Sequence, residues 1–348
     1  MVRPIDFILN KMNNQSPILE HDRLILPVGQ GGFAFEHIGD TSVIFDCGSL
    51  SSQPQMNMYI DALVAHGIKI INYLFISHFD RDHVNGIRYL LASGIHVQRA
   101  VMSYIPKDFR AVYNVVTGGA YDEMLSVLRE GDCAIDPIGA ENEAHRFQEK
   151  DLWEWIARSM MQPGDFSDLE RALLAKRLDK DRLKDADYLK DHTAEVNNAF
   201  KKAFGKRMGN SNATNAMGLI MLSQKTRQAE LIDTRISKFG VKERTGCLYV
   251  GDSNISTQKK VDITNTFIHQ YISEYYLLLM QLPHHGSRSN IHPTLHKQIA
   301  AEIFYINDLN CLRIIQSPSL FFDLKSSGRL ALVGENEKDI LWGRSLVR

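Results

Sequence analysis

The chain has 348 residues, 44% of them hydrophobic and 23% charged, with a formal net charge of -1. That length suits one large domain with insertions or two modest ones. The near-zero charge gives no global sign of a nucleic-acid binder, although it leaves room for a local basic groove. Cys47, Cys133, Cys247 and Cys311 lie far apart and form no CxxC pair, so a cysteine-based zinc site is not supported. Scattered thiols of this kind fit a reducing cytoplasm. Residues Met1 to Asn14 lack the apolar core of a signal peptide, and no apolar run reaches membrane-spanning length. A soluble, cytoplasmic protein without a membrane partner is the expectation.

In chain order, Leu24 to Val28 reads as a short strand, followed by Gly29-Gln30-Gly31-Gly32. This glycine loop lacks the Gly-Lys-Ser of a nucleotide loop and reads as a tight strand connection. Phe33 to His37 and Ser42 to Phe45 are strands around a turn at Gly39-Asp40. Met58 to His66 has helical spacing and stops at Gly67. Ile70 to Ile76 is a β-branched, nearly continuous apolar run, as a buried strand requires. A polar cluster from Ser77 to Asn85 begins where that strand ends. Ile87 to Ala92 then reads as a helix and Val97 to Ile105 as a strand.

From Lys107 to about Asn212 the texture changes. Tyr121 to Arg129 has helical spacing, and Asp151 to Met161, with Trp153 and Trp155, is expected to be another helix. The tryptophans are expected to pack this segment onto the core rather than to anchor a partner. Asp168 to Phe204 reads as one or two amphipathic helices with solvated faces. Residues 107–212 are expected to be a helical insertion into a single domain spanning 1–348, because strands resume afterwards. Those strands are Met217 to Leu222, Gly246 to Val250, Tyr275 to Leu282 and Glu302 to Ile306, with a helix at Pro293 to Ala300 before the last. The C-terminal piece, 311–348, is read as an extension of undetermined role. The pattern implies a layered α/β architecture. The polar residues Asp46, His78 to His83, Asp252 and His284-His285 gather at strand ends, where α/β proteins place their chemistry.

The strongest chemical signal is Ser77-His78-Phe79-Asp80-Arg81-Asp82-His83-Val84-Asn85-Gly86. In extended backbone, His78, Asp80 and Asp82 point to one side. His83 reaches a second point if the chain turns there, and Gly86 permits such a turn. Four candidate ligands in six residues are costly to bury without a metal to neutralise the carboxylates. The bland alternative is a solvated polar turn.

This segment resembles the HxHxDH motif of the metallo-β-lactamase superfamily, with Asp80 in place of the middle histidine. The HxDxDH form is similar to the soluble metallo-hydrolase domain of the competence protein ComEC and its relatives. Further pieces fall in the family's order. Val28-Gly29-Gln30-Gly31 resembles the early glycine motif, and Ile44-Phe45-Asp46-Cys47-Gly48 the LIDTG strand end. Asn212 to Leu222 resembles the Asn-rich strand. Tyr249-Val250-Gly251-Asp252 resembles the strand carrying a bridging aspartate, and Leu282-Pro283-His284-His285-Gly286-Ser287 the late HHGS motif. The family's closing Asn and His-Pro motif is not recognisable after Ile306.

The resemblance implies a metallo-β-lactamase fold, an αββα sandwich, with two divalent metal ions. It places His78 and Asp80 on one metal, Asp82, His83 and a late histidine on the second, and Asp252 between them. His285 is the expected ligand and His284 the substrate or transition-state contact, with the reverse assignment open. Asp82 and His284 are the expected catalytic pair. Two metals of this kind lower the pKa of water, supplying a hydroxide nucleophile, and clamp the attacked centre. Asp80 makes the first position oxygen-rich, which moves preference from zinc towards manganese, so Zn²⁺ and Mn²⁺ are held level. Asp46 is read as a turn-capping residue in preference to one that orients a ligand histidine. Arg81, Ser287, Arg288 and Ser289 suit a phosphate substrate, or else face solvent. His292 and His296 are read as ordinary helix-surface residues. The expected activity is a metal-dependent phosphodiesterase or nuclease. A small phosphodiester or other ester as substrate, and a partner-gated subunit that uses the helical insertion as its interaction surface, are the alternatives.

Overall fold

The computed structural model describes residues 18–139, 144–204, 214–274, 276–287, 290–307, 318–334 and 339–348. Strands β1 (Leu19–Ile25), β2 (Gly31–Ile38) and β3 (Thr41–Ser49) form an antiparallel meander. Helix α1 (Gln53–Ala65) crosses to β4 (Ile70–Ile76), which pairs parallel with β3. Helices α2 (Arg81–Val84) and α3 (Ile87–Ala92) lead to β5 (His96–Ser103), parallel with β4. After α4 (Arg110–Val116) and α5 (Ala120–Glu130), β6 (Ala134–Ile138) extends this sheet, while β7 (His145–Glu149) and β8 (Trp153–Ser159) open a second one. Then come α6 (Asp165–Ala175), α7 (Ala186–Asp191) and α8 (Thr193–Phe204). Strands β9 (Leu219–Lys225), β10 (Leu231–Ile236), β11 (Gly240–Lys242) and β12 (Cys247–Tyr249) follow. The order closes with α9 (Gln258–Tyr271), β13 (Leu277–Gln281), α10 (Leu295–Gln298), β14 (Ala301–Asn307), α11 (Pro318–Ser326), β15 (Leu330–Val333) and β16 (Leu341–Val347). Among the described residues, no helix is long and apolar enough to cross a membrane.

Among the described residues the strands make two sheets. One has nine strands in the order β11-β10-β16-β1-β2-β3-β4-β5-β6; the other has seven in the order β15-β14-β13-β12-β9-β8-β7. Strand periodicity decides what each face meets. In β4, Leu74 and Ile76 pack into the cluster containing Met56, Ile60 and Leu63 of α1, while Phe75 packs between the sheets. In β8, Trp153, Trp155 and Ala157 face the other sheet, and Ile156 joins Val261 and Phe267 of α9. Each sheet therefore has one face on the other sheet and one on helices. The layering is αββα, the metallo-β-lactamase arrangement implied by the sequence motifs.

A charged network crosses the inter-sheet layer. Arg23 of β1 donates to Glu36 of β2 at 2.7 Å, and Glu36 accepts from Trp155 Nε1 at 2.6 Å and from the Tyr249 hydroxyl at 2.6 Å. His21 stacks on Trp153 with ring centroids 3.6 Å apart. A buried pair of this sort is tolerable because its remaining donors and acceptors are satisfied.

Two expectations need correction. Asp151 to Met161 is not a helix: Trp153 and Trp155 sit on β8, and their i, i+2 spacing is the period of a strand. The segment 107–212 is thus not uniformly helical, since β6 joins one sheet and β7 and β8 the other. Its helices lie in 110–130 and 165–204. The C-terminal piece, whose role the sequence left open, adds two strands among its described residues: β15 pairs with β14, and β16 lies between β10 and β1.

Candidate metal centre

The site is built where β3, β4, β12 and β13 end. Its foundation is Asp46. Phe33 pairs with Cys47 and Ala34 with Phe45, so Asp46 is the extra residue of a β-bulge. Its φ of +55° turns a fully buried carboxylate toward the end of β4. Oδ1 accepts from Ser77 N at 2.7 Å. Oδ2 accepts from Ser77 Oγ at 2.7 Å and from His83 Nδ1 at 2.8 Å. Asp46 therefore orients the His83 ring, and the turn-capping reading is replaced by the contact itself.

Local backbone delivers the motif. Asp80 is extended, with φ -70° and ψ 145°, and α2 starts at Arg81. The helical turn swings Asp82 and His83 back toward β3. Asn85 holds that turn in place, accepting from Ser49 N at 2.9 Å and donating to Ser49 O at 2.7 Å. Close approach requires Gly48: a Cβ there would lie 2.5 Å from the Asp82 carbonyl carbon and 2.6 Å from His83 N.

Asp82, His83, Asp252 and His285 are all buried, and one ligand atom of each lies within 4.8 Å of the others. Asp252 Oδ1 faces His83 Nε2 at 3.2 Å and His285 Nε2 at 3.5 Å. Its Oδ2 faces His284 Nε2 at 3.4 Å. Asp82 Oδ2 lies 3.7 Å from His285 Nε2 and 3.9 Å from His83 Nε2. His78 Nε2 lies 3.5 Å from Asp80 Oδ2, and the His78 and His83 rings are 4.2 Å apart. Four of the six expected ligands thus converge, His78 and Asp80 lie beside them through the His78–His83 ring contact, and His284 adjoins Asp252, partly exposed.

The donor set fits divalent metal ions on a specific observation. His83 Nδ1 is held by Asp46 and His285 Nδ1 by the Asn307 carbonyl oxygen at 2.7 Å. Both partners are acceptors only, so each Nδ1 carries the proton and each neutral ring has its lone pair on Nε2. His78 Nδ1 meets Ser77 Oγ at 2.9 Å, and that hydroxyl already donates to Asp46. The Nε2 atoms of His78, His83 and His285 are buried without an aligned hydrogen bond. Three anchored imidazoles aiming unsatisfied nitrogens at carboxylates is the pattern of metal ligands.

Electrostatics agree. Burial works against charge on His83, but Asp252, Asp46 and Asp82 together raise it well above the ordinary imidazole range. Burial likewise opposes charge on His285, and Asp252 with Asp82 pushes it up to about 9. Burial disfavours the Asp252 anion, yet His285, His83 and His284 hold its carboxyl well below the usual range. Without metal, protons occupy the place that metal charge would take.

Other sequence candidates separate. Arg81 is exposed and Ser287 half-buried, while Arg288 and Ser289 lie outside the described residues, as do Tyr275, Cys311 and the start of the Asn-rich segment. His296 is buried, not on the surface, with Nε2 3.4 Å from Asp323 Oδ2. His292 turns its Nδ1 to Thr294 Oγ1 at 2.9 Å, so the two histidines share no site. Sequence reasoning missed Ser77 as the link between Asp46 and His78. It also missed Asn307, which acts through its backbone, and Asn290, whose Nδ2 donates to the Asp252 carbonyl at 3.3 Å. Backbone contacts carry no side-chain signature that spacing could reveal.

No protein-family model matches this chain, and no curated protein matches it. Among solved structures it is similar to the CmlA β-hydroxylase E377D mutant, with a TM-score of 0.42, 12% identity and coverage of 92% of this chain and 53% of that one. It is also similar to the metallo-β-lactamase fold protein YhfI from Bacillus subtilis, at TM-score 0.38 and 9% identity over 83% of this chain and 85% of that one. A diphosphatase from the PhnP family gives TM-score 0.39 and 8% identity over 83% and 86%. The chain spans about half the length of the hydroxylase. The fold assignment rests on the strand order and layering described above.

Proposed function

We infer that the chain is a divalent-metal-dependent hydrolase acting on phosphodiesters, with a nuclease as the leading case. The observation that carries this reading is the convergence of the unsatisfied Nε2 atoms of His83 and His285 on Asp252 and Asp82. His83, His285, Asp82 and Asp252 would hold one ion. His78 and Asp80 would hold a second, and the family resemblance would give Asp252 a share in both. Once bound, such ions supply Lewis-acid activation of water and neutralise charge on a phosphoryl group. Asp82 would serve as a ligand and orient the attacking water. His284, half-buried and facing Asp252 Oδ2, contacts the phosphoryl oxygens or protonates the leaving group.

The phosphodiester preference draws on the resemblance to the ComEC-type domain and on Asp80, which makes the His78 position oxygen-rich. The metals of choice are Mn²⁺ and Zn²⁺, held level. The net charge of -1 is the observation favouring a small diester over a long nucleic acid. The test is a substrate panel: chelator-treated protein reloaded with Mn²⁺ or Zn²⁺ and offered plasmid, single-stranded DNA and bis-p-nitrophenyl phosphate. Cleavage of DNA that is lost in Asp252→Asn supports the nuclease. Cleavage of the small diester alone moves the assignment to small substrates. Cleavage that persists in Asp252→Asn sinks the mechanism.

A further inference from the structure

The net charge of -1 conceals a local excess of cations where β8 ends. Ser159 Oγ lies 3.1 Å from Ser103 Oγ, at the end of β5. Met160 N donates to Gly218 O at 2.8 Å, and the neighbouring Leu219 N donates to Ser77 O at 2.7 Å, beside His78. The chain then crosses the rim of both sheets. Met160 packs with Ile156 and Val261 on the outside of the second sheet, whereas Met161 enters the core under the helices of the first. Lys260 of α9 holds this crossing, its Nζ donating to Met160 O at 2.5 Å. Ser253, next to Asp252, completes the path from the metal cluster: its hydroxyl sits against Gly218 and is buried without a hydrogen-bond partner.

Three cations meet at this rim. Lys260 is half-buried, and its ammonium has donors to spare beyond the one given to Met160. Alternation along β8 puts Arg158 on the face of Ile156, toward α9, where it too is half-buried. Lys259 is exposed beside them in the first turn of α9, whose N-terminus adds partial positive charge. Among the described residues none of the three has an ion pair. The acid nearest in effect, Asp165, is engaged elsewhere, its Oδ2 accepting from Gln162 N at 2.7 Å. Burial lowers the Lys260 pKa to about 8; Asp165 opposes that fall, and Lys259 and Arg158 add to it. Crowded like charges of this kind are relieved by an anion, and a guanidinium beside an ammonium suits a phosphate.

We propose that Arg158, Lys259 and Lys260 form a phosphate-binding strip on the second-sheet side of the metal centre, which holds the backbone of a nucleic-acid strand at a phosphate flanking the one attacked. This rests on the phosphodiester reading above and deepens it: a small diester reaches only the metal centre, whereas a polynucleotide reaches both. The overall charge does not oppose such a strip, because phosphate contacts depend on local charge.

The test is fluorescence anisotropy of a labelled single-stranded oligonucleotide on the full-length protein over a series of salt concentrations, with chelator present so that the strand stays intact. Each neutralised phosphate contributes about -0.7 to the slope of log affinity against log salt. Arg158→Gln, Lys259→Gln and Lys260→Gln are each expected to weaken binding several-fold at low salt and to flatten that slope by roughly 0.7. Lys69→Gln is the control: Lys69 is exposed and precedes β4, at the opposite end of that strand from His78, and its loss is expected to change neither quantity. Slopes unchanged in the three variants, or flattened equally in Lys69→Gln, overturn the proposal. Thermal melting accompanies each variant, because Lys260 also clamps Met160. A lower melting temperature in Lys260→Gln, with wild-type binding in Arg158→Gln and Lys259→Gln, makes Lys260 a structural clamp and overturns the proposal as well. So does a wild type that binds no strand. Salt-dependent binding that follows the three residues, without cleavage by the metal-loaded protein, supports the strip and sinks the hydrolase reading instead.

Discussion

Asp46 Oδ2 lies 2.8 Å from His83 Nδ1, and the same carboxylate accepts both the backbone and the hydroxyl proton of Ser77. One bulged residue on β3 thereby fixes the tautomer of His83 and, through Ser77, the ring of His78. Removing partners of this kind costs about 10–100-fold in metal affinity. Asp46→Ala is expected to lose that much, measured by competition with a chelating dye. Asp46→Asn is expected to lose less, because an amide offers one acceptor oxygen but turns a donor toward the remaining Ser77 and His83 donors. Wild-type affinity in Asp46→Ala would show that His83 does not need this orientation.

A second prediction concerns Gly48. A methyl group at that position would sit 2.5 Å from the backbone of Asp82. The neighbour is main chain, so no side-chain rotation relieves the clash. Gly48→Ala is expected to cost about 1–3 kcal/mol by overpacking and to displace the Asp82-His83 turn. Gly67→Ala serves as the control: its φ is +83°, but a Cβ there meets nothing within 4 Å. Denaturant titration and metal binding should separate them, with Gly48→Ala failing in both and Gly67→Ala losing stability alone.

The strand ends that carry chemistry were legible because ligand types are rare and their spacing is short. His78, Asp80, Asp82 and His83 occupy six residues, and the turn of backbone between Asp80 and His83 follows from that crowding. Trp153 and Trp155 were misread because a charged, helix-rich segment surrounds them, and the local i, i+2 signal of a strand was outweighed by that context. Strand β16 was not legible at all. It joins β1 across most of the chain length and also pairs with β10, and pairings of such separation leave no local pattern. The support of His285 by the Asn307 carbonyl is invisible for another reason: any residue supplies a carbonyl oxygen.

Acid should loosen the inter-sheet layer between pH 6.5 and about 4. His21 is fully buried, and burial lowers its pKa to about 4 against the opposing pull of Glu36. The folded state therefore binds fewer protons than the unfolded chain between the unfolded value near 6.5 and about 4. Stability falls as pH drops through that window, by about 3 kcal/mol for this group alone. Burial disfavours the Glu36 anion as well, but Arg23 and His21 hold its pKa far below the usual carboxylate range, so its contribution is present at neutral pH and is lost in stronger acid. Urea unfolding at pH 7.5 and pH 5 is expected to show the loss, and His21→Gln is expected to flatten the slope between the two. An equal slope in that variant would assign the acid sensitivity elsewhere.

Metal uptake should release protons, and the count follows from the cluster. In the metal-free chain, burial opposes the charge on His285, but Asp252 and Asp82 raise its pKa to about 9, and His83 is raised by Asp252, Asp46 and Asp82. A histidine raised in the folded state stabilises the fold fully below its unfolded pKa near 6.5, and that stabilisation is lost as pH rises through about 9. A metal ion has to displace the same protons, because Nε2 is both the titrating and the ligating atom. Apparent affinity is therefore expected to climb between pH 6.5 and 9, with about one to two protons released per ion at the four-ligand cluster near pH 7. Titration calorimetry in two buffers of different ionisation enthalpy reads that number directly. His285→Ala should remove roughly one of the protons along with most of the affinity. Binding that is independent of pH and buffer would mean that both rings are already neutral, and that the carboxylates of Asp82 and Asp252 are balanced by something other than His83 and His285.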